Sequence, residues 1–164
     1  MTAQRTIRTA TAEDAETLQA IAVAANMFAA EDVGFLGERL RAAGDGDQAQ
    51  AHWFVLEQDG QVVAGAYVAP EPFADRMWNL YFIAVAPPRQ GAGVGAQLMA
   101  HVENMLRARG EAVACTLVVE TSSTVQYERT RAFYRKLGYD EEARIRRFYG
   151  PHDDKIIFWK SLVS

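Results

Sequence analysis

Tyr81-Phe-Ile-Ala-Val-Ala-Pro-Pro-Arg-Gln-Gly-Ala-Gly-Val-Gly-Ala96 decides the reading of this chain. An apolar run stops at two prolines, a glycine-rich turn follows, and an amphipathic helical pattern begins at Ala96. Strand, bare-backbone loop and helix N-terminus in that order build an anion site from main-chain N–H groups. Gly91, Gly93 and Gly95 lack a Cβ, so a phosphate can approach the backbone closely. The helix behind them adds N–H donors without intrahelical partners and the positive end of its dipole. The stretch predicts a phosphorylated small-molecule ligand.

Upstream, Arg5 to Ala10 reads as a strand, and Thr11 as the cap of a helix with Glu13 and Asp14 in its first turn. Leu18, Ile21, Ala22, Ala25 and Phe28 recur at helical spacing. Glu31 to Ala43 reads as a second helix with Val33, Leu36 and Leu40 inward, and Gly44 to Gln48 as a loop. His52 to Gln58 and Gln61 to Ala69 are strand-like around Asp59-Gly60, a two-residue hairpin signal. Met77 to Ala86 reads as a central strand. Downstream, Leu98, Met99, Val102, Met105 and Leu106 share one helical face, closed by Gly110. Glu111 to Glu120 holds a strand, followed by a loop from Thr121 to Thr124. Ser123 and Gln126 suggest a capping box for a helix ending at Gly138. Arg144 to Tyr149 and Lys155 to Leu162 read as two last strands. The order is β-α-α-β-β-β-α-β-α-β-β, an α+β fold around one mixed sheet, expected to form a single domain over residues 1–164.

The 164 residues suit one domain with a real core. A net charge of −4 argues against a nucleic-acid groove, and the apolar runs are too short to span a bilayer. Met1-Thr-Ala-Gln-Arg-Thr6 lacks a signal-peptide core, and the lone Cys115 excludes an intrachain disulfide. A cytoplasmic protein is expected. His52, His101 and His152 have no metal-ligand spacing, so no metal is expected.

The ligand of the loop is narrowed by what the loop is not. A dinucleotide fingerprint is G-x-G-x-x-G at the first strand–helix turn, whereas these glycines are spaced G-x-G-x-G and follow four strands and two helices. A P-loop needs Gly-Lys-Ser/Thr after its glycines, and none follows.

The pattern resembles the GNAT superfamily of N-acetyltransferases. Arg89-Gln90-Gly91-Ala92-Gly93-Val94-Gly95-Ala96 is similar to the family's acetyl-CoA signature, with Gln90, Gly93 and Gly95 at its fixed positions. Arg131-Ala-Phe-Tyr-Arg-Lys-Leu-Gly-Tyr139 is similar to the family's later helix with its Phe-Tyr-x-x-x-Gly-Phe/Tyr ending. The order of elements matches along nearly the whole chain.

The resemblance implies a mixed, mostly antiparallel sheet flanked by about four helices. It also implies acetyl-CoA as co-substrate and a primary amine of a small molecule or peptide as acceptor, with homodimers common in the family. It places the pyrophosphate on the backbone from Gly91 through Ala92, Gly93, Val94 and Gly95 to Ala96. The pantetheine arm falls on the backbone of Ile83, Ala84 and Val85, with the Val85 N–H polarising the thioester. Tyr134 matches the tyrosine that donates a proton to the departing thiolate. The position where some members carry a basic glutamate holds Asn79, which cannot act as a base. Glu120, Tyr81 or a water chain remain for that role, with Glu120 favoured. Tyr127 stands where many members carry asparagine, and Tyr127, Thr130 and Tyr134 are expected on one helical face. Glu71 and Asp75 are weighed as holders of an ammonium group against routine surface acids. A non-catalytic acyl-CoA-binding module is the alternative, and an unrelated nucleotide-binding regulator the third.

Overall fold

The computed structural model describes residues 3–42 and 50–164. The loop expected at Gly44 to Gln48 lies outside them. Among the described residues the strands are β1 (Arg5–Thr9), β2 (His52–Gln58), β3 (Gln61–Pro70), β4 (Met77–Val85), β5 (Thr116–Ser122), β6 (Asp140–Gly150) and β7 (Asp153–Ser161). The helices are α1 (Ala15–Ala24), α2 (Gly34–Ala42), α3 (Val94–Ala108) and α4 (Glu128–Lys136). The strands form one seven-stranded sheet in the order β1-β2-β3-β4-β5-β7-β6. The β4–β5 pair is parallel, and β1–β2, β2–β3, β5–β7 and β6–β7 are antiparallel. This is the mixed, mostly antiparallel α+β arrangement expected from the sequence. Among the described residues no helix is long and apolar enough to cross a membrane.

Two compact units divide the chain, Met1–Ala69 with Phe82–Val102, and Pro70–Tyr81 with Glu103–Ser164. In the first, Leu18, Ile21 and Ala22 of α1 and Leu36 and Leu40 of α2 join Trp53, Val55, Tyr67, Phe82 and Ala84 in one buried cluster. The Trp53 and Tyr67 rings stack at 4.5 Å. Asp59 and Gly60 both take positive φ (52° and 84°), as a type I′ hairpin turn demands. In the second unit, Trp78, Leu117, Ile156 and Phe158 are almost wholly buried. The Trp78 indole N–H donates to the Val113 carbonyl at 3.1 Å, so the ring is buried without an orphaned donor.

A charged clamp starts α1. Arg8 donates to both carboxylate oxygens of Asp14 (2.8 and 3.0 Å), and the Thr11 N–H donates to the same carboxylate at 2.7 Å. The Arg8 hydrogen bonds are the main reason the Asp14 carboxyl is held below its usual range. A depressed carboxyl stabilises the fold above its unfolded pKa of about 3.9, and that stabilisation is lost as pH falls through the lower folded value. Asp14→Asn is therefore expected to destabilise the protein by about 1 kcal/mol at neutral pH. Denaturant titrations of the two proteins should converge as pH falls through that lowered folded value.

Several boundaries differ from the sequence reading. Helix α1 stops at Ala24, so Ala25 and Phe28 lie beyond it; Asn26 turns the chain with φ 58°. Helix α3 begins at Val94, two residues before Ala96, because the Gly93 carbonyl already accepts the Gln97 N–H at 3.0 Å. Strand β5 begins at Thr116 rather than Glu111. The Gly110 carbonyl collects the N–H groups of Val113 and Ala114 and holds that segment in a turn, leaving the half-buried Cys115 ahead of the strand. The same strand runs on through Thr121 and Ser122, read as loop, because they pair with Ile156 and Lys155 of β7. The capping box at Ser123 does not form. The Ser123 hydroxyl accepts the Asp154 N–H instead, and a 3-10 turn over Val125–Tyr127 leads into α4. Strand β6 starts at Asp140, four residues early, and is exposed from Asp140 to Tyr149.

Candidate active site

In the first unit, the sheet and α3 hold the glycine loop between them. Pro87–Arg89 forms a 3-10 turn that ends β4, and Gly91 and Gly93 follow with φ of 79° and 81°. A Cβ at Gly91 would meet nothing within 4 Å, so the conformation rather than crowding requires glycine there. Val94 is buried and anchors the first turn of α3, while Gly91, Ala92 and Gly93 are exposed. The first-turn N–H groups of Val94, Gly95 and Ala96 have no carbonyl one turn back to bond, so they form a donor set suited to an anion. Gln90 turns its side chain back onto the strand, donating from Nε2 to the Val85 carbonyl at 3.0 Å. Arg5 braces the loop from the other side, donating to the Ala92 carbonyl at 3.0 Å and the Gln97 side chain at 3.4 Å. The Ala86 N–H donates to Val63 of β3. By alternation, Ile83 and Val85 point their backbone groups away from β3, and Ala84 points toward it.

In the second unit, one face of β4 carries polar chemistry. Asn79 is 1% exposed, yet its Nδ2 donates to Glu71 Oε2 (3.1 Å) and to Glu120 Oε1 (3.4 Å). The Tyr81 hydroxyl donates to the same Glu71 oxygen at 2.5 Å. Glu120 also pairs through Oε2 with Lys155 Nζ at 3.1 Å. Lys155 is itself buried, with its ammonium over the Phe148 ring at 3.4 Å. The β4–β5 ladder pairs Met77–Leu80 with Thr116–Val119, and Tyr81 and Glu120 are the next residues in line beyond its last pair. The sequence reading put Glu120 at a strand end; it lies inside β5, beside the point where this ladder stops.

Tyr134, on α4, is 2% exposed and packs against Phe133, Tyr139 and Phe158. Burial alone raises its phenol well above the usual range. Tyr127 lies in the 3-10 turn ahead of α4, so the face expected to join it to Thr130 and Tyr134 is not one continuous helix. Its phenol is raised by burial and by the charge of Asp153.

An acetyltransferase (GNAT) domain matches residues 49–141, more than half of the chain and inclusive of both the loop and α4. The chain belongs to the GNAT acetyltransferase family. Among solved structures, a Desulfovibrio desulfuricans protein assigned to the same family is 29% identical, with a TM-score of 0.89, over 98% of this chain and 100% of the other. The ribosomal-protein-S18-alanine N-acetyltransferase of Escherichia coli is 24% identical, with a TM-score of 0.79, over 98% and 96% of the two chains. A Salmonella typhimurium structure with its cofactor acetyl-CoA is 20% identical, with a TM-score of 0.77, over 98% and 95%. The last two likenesses are of fold. No curated protein sequence matches the chain.

In this GNAT acetyltransferase the residues singled out from sequence fall into two groups. Ile83 to Val85 and Gln90 to Ala96 lie in the first unit, and Glu120 and Tyr134 in the second. Glu120 and Tyr134 have separate partners, the first polar and the second aromatic. Asp75, weighed with Glu71, is engaged by Arg76 at 2.8 Å. Sequence reasoning missed Lys155, whose pairing to Glu120 follows from β7 lying beside β5. It also missed Arg5, 87 positions from its loop partner Ala92.

Proposed function

We propose that the whole chain acts as one N-acetyltransferase domain, passing an acetyl group from acetyl-CoA to a primary amine of a small molecule or peptide. The observation that carries this reading is the pair of positive-φ glycines opening α3 in a chain of this family. That loop fits the pyrophosphate, since the Cβ position of Gly91 is open and the first-turn N–H groups follow at Val94, Gly95 and Ala96. Acetyl-CoA supplies the activated acetyl group. The backbone groups of Ile83 and Val85 extend a strand edge for the pantetheine arm, with Ala84 between them turned to β3. The Val85 N–H is the donor for the oxygen that gains charge as the amine attacks. Glu120 takes the proton from the acceptor, with Lys155 paired to its Oε2. Tyr134 donates to the departing thiolate from a position that excludes water.

Acetyl-CoA is expected to raise the melting temperature, and ATP at equal concentration to leave it unchanged. Thiol release should exceed background with at least one member of a broad amine panel. A stabilising effect of ATP alone defeats the cofactor assignment, and background thiol release throughout leaves a binding module. Gly93→Ala forces an alanine to φ 81° and is expected to weaken acetyl-CoA binding about tenfold, about 1.4 kcal/mol. Isothermal titration with acetyl-CoA checks this value.

A further inference from the structure

Glu71 is an oriented carboxylate without a cation. Its Oε2 accepts from the Tyr81 hydroxyl and from Asn79 Nδ2, both neutral donors, and among the described residues no lysine, arginine or histidine pairs with it. Other acids differ. Asp75 is neutralised by Arg76, Glu120 by Lys155 and Asp154 by Arg144. Two donors on one oxygen fix the Glu71 carboxylate and leave Oε1 open. A half-buried anion held in one orientation and left uncompensated is unfavourable unless a cation completes it.

Asn79 supplies an independent sign of a missing partner. The two hydrogens of Nδ2 serve Glu71 and Glu120, which fixes the amide's orientation, and the buried Oδ1 then has no donor. An orphaned acceptor at a site 1% exposed, on a side chain whose amide bridges two carboxylates, is an unmet polar demand in this cluster.

Acetyl transfer itself needs one base, and Glu120 stands where the β4–β5 ladder ends. Glu71 is anchored farther back, through Asn79, two residues before Tyr81 on β4. We propose that Glu71, with Asn79 and Tyr81, holds a second, non-reacting cationic group of the acceptor, so that the preferred substrate is an amine bearing two positive charges. The inference rests on the acetyl-transfer reading. It specifies chemistry, two cationic nitrogens on one molecule, which a diamine or a basic peptide side chain near an amino terminus both satisfy.

The test compares monoamines from propylamine to octylamine with the α,ω-diamines of equal length, using thiol release from acetyl-CoA. At the best-fitting length the diamine is expected to exceed its monoamine about tenfold or more in kcat/KM. Glu71→Gln should bring that ratio close to one, and Glu71→Asp should restore part of it; a merely structural Glu71 would lower both rates and leave the ratio standing. A second arm adds the same diamines to CoA-saturated protein and reads the melting temperature, which should rise for the wild type and not for Glu71→Gln. If no amine is turned over, this arm still decides: a rise that depends on Glu71 keeps the cation site while the transfer reading fails. Equal rates for monoamine and diamine at every length, a ratio that survives Glu71→Gln, or diamine stabilisation equal in both proteins overturns the proposal.

Discussion

Tyr134→Phe is expected to lower kcat about a hundredfold, with the acetyl-CoA KM nearly unchanged. The expectation follows from what the side chain does twice. Its ring fills a buried aromatic cluster with Phe133, Tyr139 and Phe158, and phenylalanine preserves that packing. Only the hydroxyl is lost, so the fold should survive and the effect should be chemical. The magnitude sits at the lower end of general-acid catalysis for a reason visible in the burial. A thiol has a pKa of about 8.5 and a free phenol about 10, and burial raises this phenol further. Full proton transfer to the thiolate is therefore uphill, and the useful contribution is a hydrogen bond to charge that develops as the sulfur leaves. Because its pKa is raised, Tyr134 stays protonated below about pH 10. The basic limb of the kcat profile should then be the same in wild type and Tyr134→Phe. Stopped-flow acetyl transfer across pH checks both statements, and a kcat within twofold of wild type would remove Tyr134 from the mechanism.

The parts of the fold legible in the sequence were those written by local chemistry. Asp59-Gly60 announced its hairpin because few residues other than Asp, Asn and Gly tolerate φ above zero at both turn positions. The prolines at 87 and 88 ended β4 as expected, and Gly110 and Gly138 closed their helices with φ of 88° and 90°. Errors gathered where a distant partner decides. Thr121 and Ser122 look like loop until β7 offers them a ladder, and Ser123 looks like a cap until Asp154 claims its hydroxyl. The candidate site divides the same way. The glycine loop is contiguous, so its spacing and its relation to α3 could be read directly. The linkage from Glu71 through Asn79 to Glu120 joins β4 to residues 8 and 41 positions away, and no local pattern encodes it. Asn79 by itself read as the loss of a base. Beside two carboxylates it is a bridge between them, the opposite functional meaning for the same side chain.

Glu103→Ala is expected to destabilise the protein by about 3 kcal/mol or more. Glu103 is 5% exposed on α3, a placement that is unfavourable for a carboxylate unless every lone pair is answered. Lys160 of β7 pairs with Oε1 at 2.8 Å, and the Tyr139 hydroxyl donates to Oε2 at 2.8 Å. Lys160 also donates to the Leu137 carbonyl at 2.8 Å, tying the C-terminal end of α4 to β7. Burial first, and the Glu103 charge second, push the Tyr139 phenol above its usual range, so it remains a donor at working pH. Deleting the carboxylate leaves the mostly buried Lys160 ammonium with no counter-charge beyond the Leu137 carbonyl and the buried Tyr139 hydroxyl with no acceptor, and the penalty is their desolvation rather than one lost contact. Arg107, farther away at 3.5 Å and more exposed, adds little. Glu103→Gln should be milder, about 1–2 kcal/mol, because the amide oxygen still accepts from Lys160 while the Tyr139 hydroxyl turns to accept from the amide N–H. The double variant Glu103→Ala with Lys160→Met should recover part of the loss, since the stranded charge is gone. Denaturant unfolding of the wild type, Glu103→Ala, Lys160→Met and the double variant closes the cycle, and additive losses would show that Glu103 and Lys160 do not act as a pair. The network also bears on catalysis. Tyr139 meets the Tyr134 ring edge-on at 5.9 Å, so loosening Tyr139 removes one wall of the cluster that holds the proposed donor. A fall in kcat that exceeds the fall in folded fraction would report that second effect.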